Sequence, residues 1–232
     1  MLKSVSLDGK IIEYNLTYKK VKNINIRVKS DLTVNVSAPY KISESQIVRF
    51  ITQSAEFILS ALSKYERLPP KKELQYENGE KIYYLGEQKT LLVVEGKSKV
   101  ILSGEAILLQ VKDVQDFDLK KRVITKWLKS ECERVVLDLC RKAYEDFKDK
   151  VKAFPEIKFR NMRSGWGNCR AVKNRLTFAY MLVKAPLECI NYVVYHEFTH
   201  LLEFNHSSKF YAKLSNFLPN FKELKKKLRE YQ

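Results

Sequence analysis

Cysteine is scarce in this chain, and the four residues present, Cys132, Cys140, Cys169 and Cys189, are too few and too scattered for a disulfide scaffold or a Cys-x-x-Cys metal site. Reduced thiols are the expected state. No apolar run approaches the length of a membrane-crossing helix, so no membrane is expected among the partners. The start lacks the apolar core of an export signal, since Met1 to Leu16 alternates like a strand; the cytoplasm is therefore the expected location. Histidine is scarcer still: the chain has three, and all stand between 196 and 206.

What is present is ordinary globular material, 45% hydrophobic and 30% charged, and 232 residues suffice for a full core in one large domain or two small ones. The formal charge of +16 raises the expectation of a polyanion, whether nucleic acid, a nucleotide phosphate or an anionic surface. No recognised nucleic-acid motif accompanies it. Most of the excess is lysine spread along the chain, and the one dense run, Lys222 to Arg229, reads as the solvated face of a terminal helix.

From Val5 to Val36 the apolar residues recur with a period of two, broken at Asp8-Gly9 and Ser30-Asp31, which predicts an antiparallel meander. Ser43 and Gln46 form a capping box opening one helix over about 43–66, closed by Leu68-Pro69-Pro70. Strand alternation returns from Tyr76 to Val111, with turns at Leu85-Gly86 and Ser103-Gly104, and is expected to extend the first sheet. Past Asp118 the period becomes helical through Val123, Trp127, Val135, Leu139, Ala143 and Phe147. Residues 157–162 and 175–182 read as two short strands around the loop Arg163 to Arg170, and Pro186 starts the next helix. The division this suggests is a β-rich region 1–115 with one helix and a second region 116–232, with a single continuous domain as the other option.

All the histidines fall in Tyr195-His196-Glu197-Phe198-Thr199-His200-Leu201-Leu202-Glu203-Phe204-Asn205-His206. On a helix, His196 and His200 leave the same face one turn apart, where one tetrahedral ion can accept both. Glu197 then lies beside that ion, placed to hold a water and take its proton. A third ligand requires the chain to turn. Asn205 tolerates the left-handed conformation, and Ser207 or Ser208 can cap a following helix carrying Phe210, Leu214 and Phe217; His206 would then sit in the elbow. Glu203, three residues after His200 on the same helical face, is the competing third ligand.

Met162-Arg163-Ser164-Gly165-Trp166-Gly167-Asn168-Cys169, Ala185-Pro186, the stretch Asn191 to His200, and Asn205-His206-Ser207 together resemble the YgjP-like metal-dependent hydrolases, relatives of the SprT-like and other zincin metallopeptidases. Val28 to Tyr40 is similar to the opening hairpin of that family, so the resemblance spans most of the chain. Two positions depart from its pattern, Gly165 where Arg is usual and Asn168 where Ser is usual; Arg163 stands two residues before the first. The resemblance implies an α+β fold, with an antiparallel β-rich amino-terminal part and a zincin-like helical core with a short edge sheet. It implies His196, His200 and His206 as ligands of one Zn²⁺ per chain, Glu197 as base, and a peptide or protein substrate.

Hydrolysis of a peptide bond by a metal-activated water is the expected reaction. Arg163 and Tyr211 are candidate stabilisers of the developing oxyanion. Two rivals remain: a nucleotide phosphoanhydride hydrolase using Mn²⁺ or Mg²⁺, and a non-catalytic zinc-stabilised module binding nucleic acid or protein. A carboxylate-poor site argues against the first, and a ligand set with an open position argues against the second.

Overall fold

The computed structural model describes residues 1–66, 73–162 and 165–231, so Leu68-Pro69-Pro70 and Arg163 lie outside the described residues. The chain is α+β and divides into two compact units, Met1–Glu73 and Leu74–Gln232.

In the first unit, β1 (Leu2–Leu7) and β2 (Lys10–Lys19) form a hairpin, as do β3 (Asn25–Val28) and β4 (Val34–Pro39). Asp8 (φ +48°) and Gly9 (φ +79°) make the first turn, the left-handed pair that a tight hairpin requires. The sheet is not a meander. Its order is β1-β2-β4-β3, with β2 and β4 parallel, because the second hairpin docks by its returning strand. The capping box forms at Ser43, opening α1 (Glu44–Gln53). The single helix expected here is two, since Ser54 turns its N–H to both Phe50 and Ile51 carbonyls and separates α1 from α2 (Ala55–Glu66). Tyr14, Leu16, Val34, Val36, Ile47, Ile51 and Ile58 close a core within this unit.

The second unit starts with β5 (Lys81–Tyr84), β6 (Glu87–Glu95), β7 (Lys99–Ser103) and β8 (Ala106–Val111). These strands build a sheet of their own, in the order β5-β6-β8-β7, instead of extending the first. Asp116 caps α3 (Phe117–Phe147) by accepting from the Leu119 N–H at 2.9 Å. Sheet and helix share one core, in which Ile107, Leu109, Ile124 and Val136 are all buried. That shared core is why the chain divides at 73/74 and not at 115.

A three-stranded sheet follows, made of β9 (Glu156–Arg160), β10 (Gly167–Arg170) and β11 (Arg175–Ala179) in the order β10-β11-β9. Part of the expected loop is thus the strand β10, antiparallel to β11 and at the sheet's edge, while β9 and β11 run parallel. Helices α4 (Leu187–Thr199), α5 (Ser208–Phe217) and α6 (Phe221–Leu228) complete the unit.

Two contacts fix α4. The β5–β6 turn abuts Pro186, where Leu85 and Gly86 donate to the Val183 and Lys184 carbonyls; a Cβ on Gly86 would stand 2.7 Å from the proline ring. On the other side the fully buried Phe147 of α3 packs on Tyr195 and Phe198 and stacks on Phe217, centroids 4.5 Å apart. Among the described residues no helix is long and apolar enough to cross a membrane.

Candidate metal centre

Pro186, with φ pre-set near the helical value, leads into α4, whose residues Ile190, Val194 and Phe198 face the core. His196 and His200 leave the opposite side one turn apart, and His200 is the residue that ends the helix. The chain then reverses through residues 201–206 without a left-handed residue: Asn205 is not among the positive-φ positions, contrary to the expected turn. Instead Leu201 and Leu202 donate to the Phe198 and Thr199 carbonyls, tightening the last turn, and Ser207 N–H donates to the Asn205 carbonyl at 2.7 Å. Ser207 caps α5 by accepting from the Phe210 N–H.

This reversal brings the three histidines together. His206 Nε2 lies 2.9 Å from His196 Nε2 and 3.1 Å from His200 Nε2. Phe210, fully buried on α5, sits against all three rings with centroids 4.5 to 5.0 Å away. The Nδ1–H of His200 donates to the Glu203 carbonyl at 2.9 Å, which leaves its Nε2 lone pair facing the other two rings. Glu203 contributes that carbonyl and not its carboxylate, which pairs with Lys213 at 2.8 Å.

Glu197 points from α4 toward β10. It is 4% exposed, and its Oε2 has no partner among the described residues. A Cβ at Gly167 would stand 2.5 Å from Glu197 Oε1 and 2.7 Å from its Cγ, so the bare backbone of β10 is what makes room for the carboxyl group. Burial pushes the Glu197 carboxyl up to about 8, where it can hold and release a proton near neutrality. Burial, with help from the neighbouring His200 and His206, pushes the His196 imidazole down to about 3, which keeps it an unprotonated donor.

The profile of the YgjP-like, metallopeptidase domain family matches residues 22–231. The chain belongs to the YgjP-like family. No curated protein matches it. Metallopeptidase chemistry implies a divalent metal, and the donor set of this YgjP-like chain fits one. Three imidazole donors converge within 4.8 Å of one another, and each would be mutually repelled without a shared cation or proton. Nitrogens held at about 2.0–2.1 Å by one tetrahedral ion lie roughly 3.4 Å apart, close to the 2.9 and 3.1 Å found between His206 and the other two rings.

Two hollows meet at the imidazoles. One, about 310 Å³, is lined toward the start of β10 by Trp166, Tyr192, Val193, Lys225 and Arg229. The other, about 260 Å³, is lined toward the strand's end by Asn168, Cys169, Ala171 and Phe204. Of the oxyanion candidates, Arg163 lies outside the described residues. Tyr211 is not brought to either hollow: its ring stacks on Phe221 and lies 6.2 Å from the His206 ring, facing the groove along α6. Cys169 is half-buried with its thiol pushed up to about 12 by burial, and it stands outside the ligand set.

Four contributors escaped the sequence reading. Phe210 was visible only as a helix-face apolar residue, and Gly167 only as part of the loop Arg163 to Arg170. Lys225 and Arg229 stood in a run read as solvated. Their helical spacing shows which residues share a face, but not what lies opposite.

Proposed function

We propose that this chain is a zinc-dependent peptidase in which His196, His200 and His206 hold the ion and Glu197 is the base. The observation that carries this reading is the convergence of three imidazole nitrogens beside a buried carboxyl group that is enclosed by a sheet edge. Zinc suits three neutral imidazoles with a position left open, and when bound it supplies Lewis acidity and a lowered water pKa. Glu197 takes the proton of the attacking water and delivers it to the leaving amine. The unpaired edge of β10 aligns an extended substrate by strand addition, running the scissile carbonyl past Glu197.

A nucleotide hydrolase using Mn²⁺ or Mg²⁺ is the weaker reading, because those ions prefer oxygen donors and Glu197 is the one carboxylate lining either hollow. The four free cysteines support a cytoplasmic setting. The test is elemental analysis of untagged protein, followed by incubation with an unfolded protein and with nucleoside triphosphates. About one zinc per chain, lost in His206→Ala and kept in Glu203→Ala, with cleavage of the protein alone, is the expected result. No zinc uptake, or turnover of nucleotides alone, would overturn the reading.

A further inference from the structure

The two hollows at the imidazoles differ in charge. The one toward the end of β10 carries no charged side chain besides Glu197 and the histidines, whereas the other opens between Lys225 and Arg229. A second groove of about 520 Å³ continues from those same two residues along α6, lined further by Lys222, Lys226, Tyr211 and Phe221. Lys222, Lys225, Lys226 and Arg229 follow the spacing i, i+3, i+4, i+7, one stripe of a helix, the last residue standing in the 3-10 turn that follows α6.

All four are exposed, and among the described residues none of them makes an ion pair; Lys227, off the stripe, pairs with Glu188 at 2.7 Å. The carboxylates of this segment, Glu223 and Glu230, line neither cavity. Lys225 rests over the Tyr211 ring at 5.8 Å, which holds its stem in the groove. Trp166, 8% exposed in the wall of the hollow that opens between Lys225 and Arg229, has an indole N–H without a partner among the described residues. Unpaired cations over an aromatic wall, leading to the imidazoles, form a surface built for anions.

We propose that the Lys225–Arg229 end of the cleft is a carboxylate subsite, so that the chain prefers substrates bearing acidic side chains on one side of the bond to be cut. This rests on the peptidase reading. The seven steps from Lys222 to Arg229 rise about 10 Å along the helix. That is the length of about three residues of extended chain, enough for two alternate acidic side chains. A lone terminal carboxylate would occupy only one end of it. The adjoining free edge of β10 offers backbone pairing to a peptide and none to a phosphodiester chain.

The experiment is fluorescence anisotropy on the zinc-loaded full chain at low salt. The probes are two labelled, end-blocked octapeptides, one alternating Glu with Ala and one alternating Gln with Ala, and a Gln peptide with a free carboxyl end. The Glu peptide should bind at least tenfold tighter than its blocked Gln counterpart, and Lys225→Gln/Arg229→Gln should remove the difference. Lys222→Gln, at the far end, should lower it severalfold. A preference for the free-ended Gln peptide alone would assign the same carboxylate site to a chain terminus. Equal binding of the blocked peptides, or a preference surviving the double variant, overturns the subsite, as does a short single-stranded oligonucleotide that outcompetes the Glu peptide at equal charge. Binding is read without turnover. A preserved preference with no cleavage of any peptide therefore sinks the peptidase reading and keeps the site, while cleavage without preference does the reverse.

Discussion

The two four-stranded sheets are built to one plan and put to different uses. Each is a pair of hairpins whose inner strands run parallel, β1-β2-β4-β3 in the first unit and β5-β6-β8-β7 in the second, and each is followed by helix. Even a strand-to-helix tie recurs: Lys3 of β1 bonds Glu44 of α1, and Tyr84 of β5 donates to Glu131 of α3 at 2.6 Å. Yet the first sheet closes its core on α1 and α2 alone, while the second shares a core with α4 and α5, the helices on either side of the histidine reversal. Strand order fixes a frame; the partner packed on the frame decides whether it supports chemistry.

The largest expected effect falls wholly in the second unit. Glu197→Gln should lower peptide hydrolysis by about 10²–10⁴-fold with zinc content unchanged, whereas Glu44→Gln in the first unit should leave the rate as it was. Metal analysis beside a turnover assay reads both. Turnover surviving in Glu197→Gln would take the base away from that residue.

Core truncation should separate the units next. Phe210→Ala removes the ring beneath three imidazoles and should cost about 3–5 kcal/mol together with most of the bound zinc; Ile47→Ala should cost about 2–5 kcal/mol with zinc retained. Chemical denaturation with metal analysis distinguishes them. Equal loss of zinc in both variants would show the units to be one cooperative structure.

Glycine replacement sharpens the contrast on a smaller scale. Gly167 has no positive φ but no room, so Gly167→Ala should displace Glu197 and lower turnover by up to about 10²-fold. Gly9 has room but a φ of +79°, so Gly9→Ala should cost about 1 kcal/mol and leave turnover alone. Kinetics and melting on both variants test the pair.

The smallest effect concerns the repeated tie. The Arg134 guanidinium, seconded by the Tyr84 hydroxyl, holds the Glu131 carboxyl below the ordinary carboxylate range. A lowered carboxylate contributes stability above its unfolded pKa and loses it as the pH falls through the folded value. Glu131→Gln should therefore cost about 1 kcal/mol at pH 7 and converge on the parent as the pH falls below the ordinary carboxylate range, as followed by urea unfolding. The more exposed Lys3–Glu44 tie should give no measurable difference at either pH.

Much of this was legible in the chain. Period-two alternation marked the strands, the capping box at Ser43 and the break at Pro186 marked helix starts, and helical spacing put His196 and His200 on one face. Pairings distant in sequence were not legible. A meander and a 1-2-4-3 sheet use the same alternation, since register and neighbour choice depend on contacts that the pattern does not encode. Strand β10 was hidden because Gly167 and Asn168 disfavour strands; pairing with β11 holds them extended regardless. The turn before His206 was expected from Asn205 conformation and is made by tightened backbone bonding instead.

The three histidines span only eleven positions, whereas the glycine that encloses Glu197 lies thirty residues upstream, on another element. Closing a loop of about ten residues takes on the order of 10–100 ns, while longer-range strand pairing is slower. During folding, the α4–α5 elbow can therefore gather its imidazoles before β10 seats against the carboxyl group. On the peptidase reading, capacity for an ion would then precede competence as a hydrolase when the full chain refolds.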